Sequence, residues 1–211
     1  MSRFFSSDSP FFHKLSKFAD LVLLNLLTIL CSLPVITAGA AATALFYAVT
    51  KLRRDEGGIF KGYFKSFKEN FLQATILWIL LLVVGVGACF CILMYYQANQ
   101  PILVGCSVLL LLVWGIVVSW LFPMLSHFHS TTFGALRNAV VCGINYLPLS
   151  LAMTLVNLVP VALFLIVPEW FFKLLCLWLF LWFSVAAYCN SALLQKPFAA
   201  LLPKDGQEED A

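Results

Sequence analysis

Charge is scarce in this 211-residue chain, with Asp, Glu, Lys and Arg making up 11% of it. None of the four occurs in residues 21–50, 70–136, 138–168 or 174–195, and those stretches hold 150 of the 211 residues. A soluble domain carries about 25% charged and roughly 45–50% apolar residues, whereas 62% of this chain is hydrophobic. A fold of this size in water cannot cover so much apolar surface. These shortages exclude a soluble enzyme, a disordered regulator and a nucleic-acid-binding domain.

Signatures of chemistry are missing as well. The chain has no G-x-x-x-x-G-K-[ST] phosphate loop, no H-E-x-x-H and no G-x-S-x-G, so nothing in it predicts nucleotide hydrolysis or acyl transfer. Membrane enzymes and ion-coupled transporters usually commit ionisable residues inside the bilayer, and the apolar stretches contain none. His127 and His129 form a His-x-His pair without a third ligand or a carboxylate nearby. No metal, cofactor or catalytic residue is predicted. The seven cysteines all lie in apolar stretches and read as small packing residues.

What is present is long apolar sequence with punctuation. About 20 apolar residues cross a bilayer, which predicts an all-α, polytopic transmembrane bundle. Four full spans fall at about 71–96, 102–125, 147–167 and 171–195. Residues 1–20 read as an interfacial amphipathic lead-in, with Asp20 as an edge cap or a partner for Lys17, and 201–211 as an acidic disordered tail. The stretch 21–50 contains Ser32-Leu33-Pro34 and Thr37-Ala38-Gly39, so it forms either one long kinked helix or a helical hairpin with Thr37 as a cap. The hairpin puts twelve of the thirteen basic residues on one side and only Lys173 on the other. The positive-inside rule therefore favours it, with short legs and with both termini on the cytoplasmic side of a cell membrane.

Residues 59–70 form a separate interfacial helix in this reading. Phe60, Tyr63, Phe64, Phe67 and Phe71 share one face and Lys61, Lys65 and Lys68 another. The aromatic stripe is expected in the acyl boundary and the lysines at lipid headgroups, together with Lys51, Arg53 and Arg54. The sharper alternative for this segment is a docking surface for a cytoplasmic partner. A second interfacial helix is expected at about 132–146. Asn70-Phe71-Leu72 and Asn145-Tyr146-Leu147 hint at a repeat. Gly39, Ala40, Thr43, Ala44 and Ala48 make a small-residue face for packing within the chain or against a second copy. The mild polar groups inside the apolar stretches (Asn25, Thr28, Thr43, Thr75, Ser119, Asn157 and Asn190 among them) are expected to hydrogen-bond between helices.

Several blocks resemble a known family. Asp20-x4-Asn25, Cys31-Ser32-Leu33-Pro34-Val35-Ile36-Thr37-x-Gly39 and Ala41-Ala42-Thr43-Ala44-Leu45 form one block, and Phe64-x-x-Phe67-x-x-Asn70-Phe71-x-x-Ala74 a second. Together they resemble the YesL-like bacterial integral membrane proteins, a domain of unknown function (624). Arg137-Asn138-Ala139 and Asn145-Tyr146-Leu147-Pro148 are similar to a third block. The resemblance implies a small helical membrane protein of Gram-positive bacteria, encoded near sugar ABC transporters, and marks Asn25, Pro34, Thr37, Gly39, Thr43, Phe64, Phe67 and Asn70 as motif positions. It implies no catalytic residue. The expected function is a non-enzymatic accessory component of carbohydrate uptake. The alternatives are a small oligomeric channel or facilitator, motivated by the broken backbone at 21–50, and, far less favoured, a membrane enzyme. The expected partners are the lipid bilayer, sugar ABC transporter subunits and a second copy of the chain.

Overall fold

A computed structural model describes residues 10–128 and 131–201. The N-terminal lead-in before Pro10, His129 and the acidic tail after Leu201 lie outside the described residues. Helix α1 (Pro10–Ser32) opens on a proline, which is tolerated where the first N–H groups have no intrahelical partner anyway. It stops before Pro34, whose ring disfavours helical geometry in the preceding residue. Pro34 is extended, and one 3₁₀ turn, Val35–Thr37, leads into α2 (Ala38–Arg53). The chain reverses here: Lys17 Nζ, early in α1, lies 2.8 Å from Asp55 Oδ1, just past α2. The stretch is therefore a hairpin, not one kinked helix, and Lys17 pairs with Asp55 instead of Asp20. Both legs are longer than expected, at 19 residues each, and are long and apolar enough to cross a membrane.

Asp55 (φ 56) and Gly58 (φ 72) turn the chain through left-handed geometry into α3 (Ile59–Gln97), 39 residues without a break. At about 1.5 Å per residue it is roughly 58 Å long. The separate helix expected at 59–70 is thus the first third of α3. The charge pattern changes at Asn70, but nothing there interrupts the backbone. Ala98–Gln100, with Asn99 at φ 52, joins α3 to α4 (Pro101–His127). Then follow α5 (Thr132–Asn145), α6 (Leu147–Ile166), α7 (Pro168–Lys173), α8 (Leu175–Leu193) and α9 (Gln195–Leu201). The continuous span expected at 171–195 is corrected: Leu174 separates α7 from α8, and α8 contains a π turn at Trp178–Trp182.

Six of these helical segments are long and apolar enough to span a membrane. Their outer faces carry large exposed apolar side chains, such as Leu72 (74%), Ile102 (81%) and Leu165 (73%). Such a surface is stable against lipid and costly against water. The chain is an all-α integral membrane bundle.

Helix α2 is the centre of that bundle. Ala40, Ala41, Ala44, Ala48 and Val49 are fully buried, and α1, α3, α4 and α8 all pack against this helix. A Cβ on Gly39 would meet Ala74 O and Trp78 Cβ at 2.6 Å each, so α2 and α3 touch backbone to backbone there. The small-residue face is consequently covered within the chain. One apolar cluster gathers around Trp120, Leu121 and Met153, and a second around Leu24, Ala44, Val49 and Tyr63.

Candidate functional site

The motif positions converge on the three N-terminal helices and on the last long one. Asn25, on α1, is completely buried. Its Nδ2 donates to Leu179 O at 2.6 Å, and its Oδ1 accepts from the Ser184 N–H at 3.0 Å. These two backbone groups lie five residues apart, across the π turn of α8. A π turn puts backbone groups out of register with the α-helical rungs that follow. The Asn25 amide supplies the missing donor and acceptor, so one side chain locks α1 onto an irregular turn more than 150 residues away. Either group left unpaired would cost about 1–3 kcal/mol.

The hairpin tip is tied with equal economy. Thr37 does not cap α2 with its side chain, against expectation. Its hydroxyl faces backward, 2.6 Å from Cys31 O and 2.8 Å from Pro34 O, and serves the carbonyls left open where Pro34 ends α1. Trp78 Nε1, on α3, donates to Val35 O at 2.7 Å. Proline and threonine therefore shape the turn, Gly39 admits α3, and Trp78 pins the tip to it. Thr43 is buried but bonds its own helix, at Gly39 O 2.9 Å. Thr28 does the same, at Leu24 O 2.7 Å. Thr43 does not make the inter-helix bond expected of it. Thr75 Oγ1 is buried with no hydrogen-bond partner among the described residues.

The aromatic stripe divides. Tyr63 is fully buried in the α1–α2 cluster and Phe67 is half-buried, stacked on Tyr63 at 6.4 Å. Phe64 (47% exposed) and Phe71 (37%) face outward. The stripe expected in the acyl boundary is thus partly a seam between helices, because α2 covers the side of α3 that carries Tyr63. Asn70 Nδ2 donates to Ser66 O at 3.0 Å, within α3.

Lys61, Lys65 and Lys68 are exposed, and Lys65 lies 3.9 Å from Glu69. Arg54 is exposed and reaches Glu56 at 3.9 Å, while Lys51 is half-buried, 3.8 Å from Glu56 and over the Tyr47 ring. Arg53 is half-buried. Its Nη1 donates to Ser191 Oγ at 3.1 Å, and its guanidinium lies 5.4 Å from the Tyr188 ring centre. Of the six basic residues expected at headgroups, Lys51 and Arg53 are therefore drawn partly into the protein.

Two polar ties were not foreseen as units. Asn190 Nδ2 donates to Asn157 Oδ1 at 3.0 Å, and Asn157 Nδ2 donates to Ser119 Oγ at 3.1 Å, linking α8, α6 and α4. Trp120 Nε1 donates to Ser150 Oγ at 2.7 Å, and that hydroxyl lies 2.9 Å from Gly143 O and 3.0 Å from Tyr146 O. Each residue is visible in the sequence as a polar or aromatic group in an apolar run, but only the fold pairs them. Among the described residues no group of three His, Cys, Asp or Glu side chains is placed to hold a metal.

Fold and site together define an integral membrane protein in which the buried Asn25, Ser150 and Asn190 join helices to one another. Residues 21–92 match the family model described as protein of unknown function, DUF624. The match covers the second half of α1, all of α2 and nearly all of α3, and so the two main motif blocks apart from Asp20. The third block, around Arg137 and Asn145, lies outside the matched residues. No curated protein and no solved structure matches the chain.

Proposed function

We propose that the protein is a non-enzymatic accessory component of a membrane transport assembly, and that the basic first third of α3 is its docking surface. The observation that carries this reading is the continuity of α3. Lys61, Lys65 and Lys68, with the outward Phe64, stand on the same unbroken helix as the apolar span. A partner bound there would be held at a fixed height and rotation relative to the bundle. The resemblance to YesL-like proteins makes a carbohydrate ABC-type transporter subunit the preferred partner and a Gram-positive plasma membrane the setting. Under this reading the N-terminus and the 54–58 loop face the cytoplasm, and reporters inserted at both should give the same side.

Affinity purification of the tagged protein in mild detergent, from cells induced with several sugars, tests the proposal. A transporter subunit should co-purify with the native chain and be lost with the Lys61→Glu, Lys65→Glu, Lys68→Glu variant. Recovery of the native chain alone under every induction would contradict it.

A further inference from the structure

A small open cleft of about 110 Å³ lies where the C-terminal ends of α2 and α4 meet α8 and α9. Its walls have two characters. Phe46, Pro123, Leu194 and Phe198 make an apolar side, and Arg53, Arg54 and Gln195 make a polar one. His127 closes part of the wall, its Nδ1 engaged by Ser126 Oγ at 2.6 Å and Pro123 O at 3.0 Å.

The charge in this cleft is unbalanced. Among the described residues no carboxylate lines it. Glu56, outside the cleft, reaches Arg54 at 3.9 Å and Lys51 at 3.8 Å. Among the described residues Arg53 has no acidic partner, although it is half-buried and held in place by Ser191 and Tyr188. A partly desolvated guanidinium without a counter-ion carries a cost that a bound anion offsets. Among the described residues, one of the five guanidinium donors of Arg53 is used, at Ser191. Arg53 and Arg54 both line the cleft, and guanidinium forks suit a tetrahedral oxyanion, which can take paired hydrogen bonds from each.

We propose that this cleft binds a phosphate oxyanion between Arg53 and Arg54, with the Gln195 amide as a further donor. The apolar wall offers a surface for the glycerol and upper acyl carbons of a phospholipid, so the anion is supplied either by an anionic lipid headgroup or by free phosphate. This site is separate from the lysine face of α3 and does not depend on what docks there.

Titration of the whole chain in neutral detergent tests the proposal. Three probes are used: dihexanoyl-phosphatidylglycerol, dihexanoyl-phosphatidylcholine and inorganic phosphate. Saturable binding of phosphatidylglycerol well above phosphatidylcholine supports the site with a lipid source. Saturable binding of inorganic phosphate of comparable strength supports it with a soluble source. In either case Arg54→Gln, at an exposed position where the fold has little to lose, should weaken binding about tenfold or more. Gln195→Leu should weaken it less, and Lys173→Gln, outside the cleft, should leave it unchanged. Equal binding by the native chain and Arg54→Gln, or an equal loss in the lysine variant, would overturn the assignment.

Discussion

Two stretches of the chain enter a long apolar segment through the same short pattern, and they handle it in opposite ways. At Asn70-Phe71-Leu72 the helix runs on, and α3 reaches from Ile59 to Gln97. At Asn145-Tyr146-Leu147 the helix ends, and α6 starts afresh at Leu147. The difference lies three residues beyond the asparagine. Pro148 has no N–H for the carbonyl of Ile144 and its ring crowds that turn, whereas α3 has no proline at all. Carbonyls at the end of α5 then need other partners, and the Ser150 hydroxyl stands 2.9 Å from Gly143 O while accepting from Trp120. One junction makes a rod, and the other makes an elbow held by a hydroxyl. The rod carries the lysine face.

A proline introduced into the rod should have the largest effect. Leu72 is 74% exposed, so Leu72→Pro removes little packing and acts mainly on the backbone. It should cost about 3 kcal/mol or more, read as a loss of thermal stability in detergent, and should abolish co-purification of any partner. A near-native melting curve would mean that α3 is already interrupted. Gly39→Val comes next, at about 2–3 kcal/mol, because its side chain would drive into Ala74 O and Trp78 Cβ. Gly143→Val should cost less, since the obstacle there is a single side-chain methyl, Ile116 Cγ2 at 2.7 Å, and no backbone atom.

Much of this architecture is legible in the sequence, for local reasons. Charge gaps mark the spans, and Pro34, Pro101 and Pro168 mark helix boundaries because proline acts on its own turn. The continuity of α3 is harder to read. The change at Asn70 is compositional, from lysines to leucines, and composition does not break a helix. A helical wheel puts Tyr63 and Phe67 on one face but cannot say that α2 will cover it. The role of Asn25 depends on Leu179 and Ser184, whose wide turn is set by packing far along the chain.

Asn25→Leu follows from that last point. It leaves Leu179 O and the Ser184 N–H without the partners they now have, and should cost about 2 kcal/mol. A restored stability in Asn25→Gln would show that the site tolerates a longer amide and is looser than its 2.6 Å contact implies. Ser150→Ala is the mildest change, at about 1 kcal/mol. Its effect should fall on the elbow, seen as faster amide exchange at 143–147 with α3 unaffected.

The decisive quantity is the length of α3. Spin labels at Lys61 and Gln97 in a cysteine-free background are 36 residues apart along one helix. A single narrow distance near about 54 Å is expected for an unbroken rod. A broad distribution, or one centred well below that length, would show that the lysine-bearing segment is hinged against the span, as α5 is against α6, and would contradict the rigid docking face proposed for it.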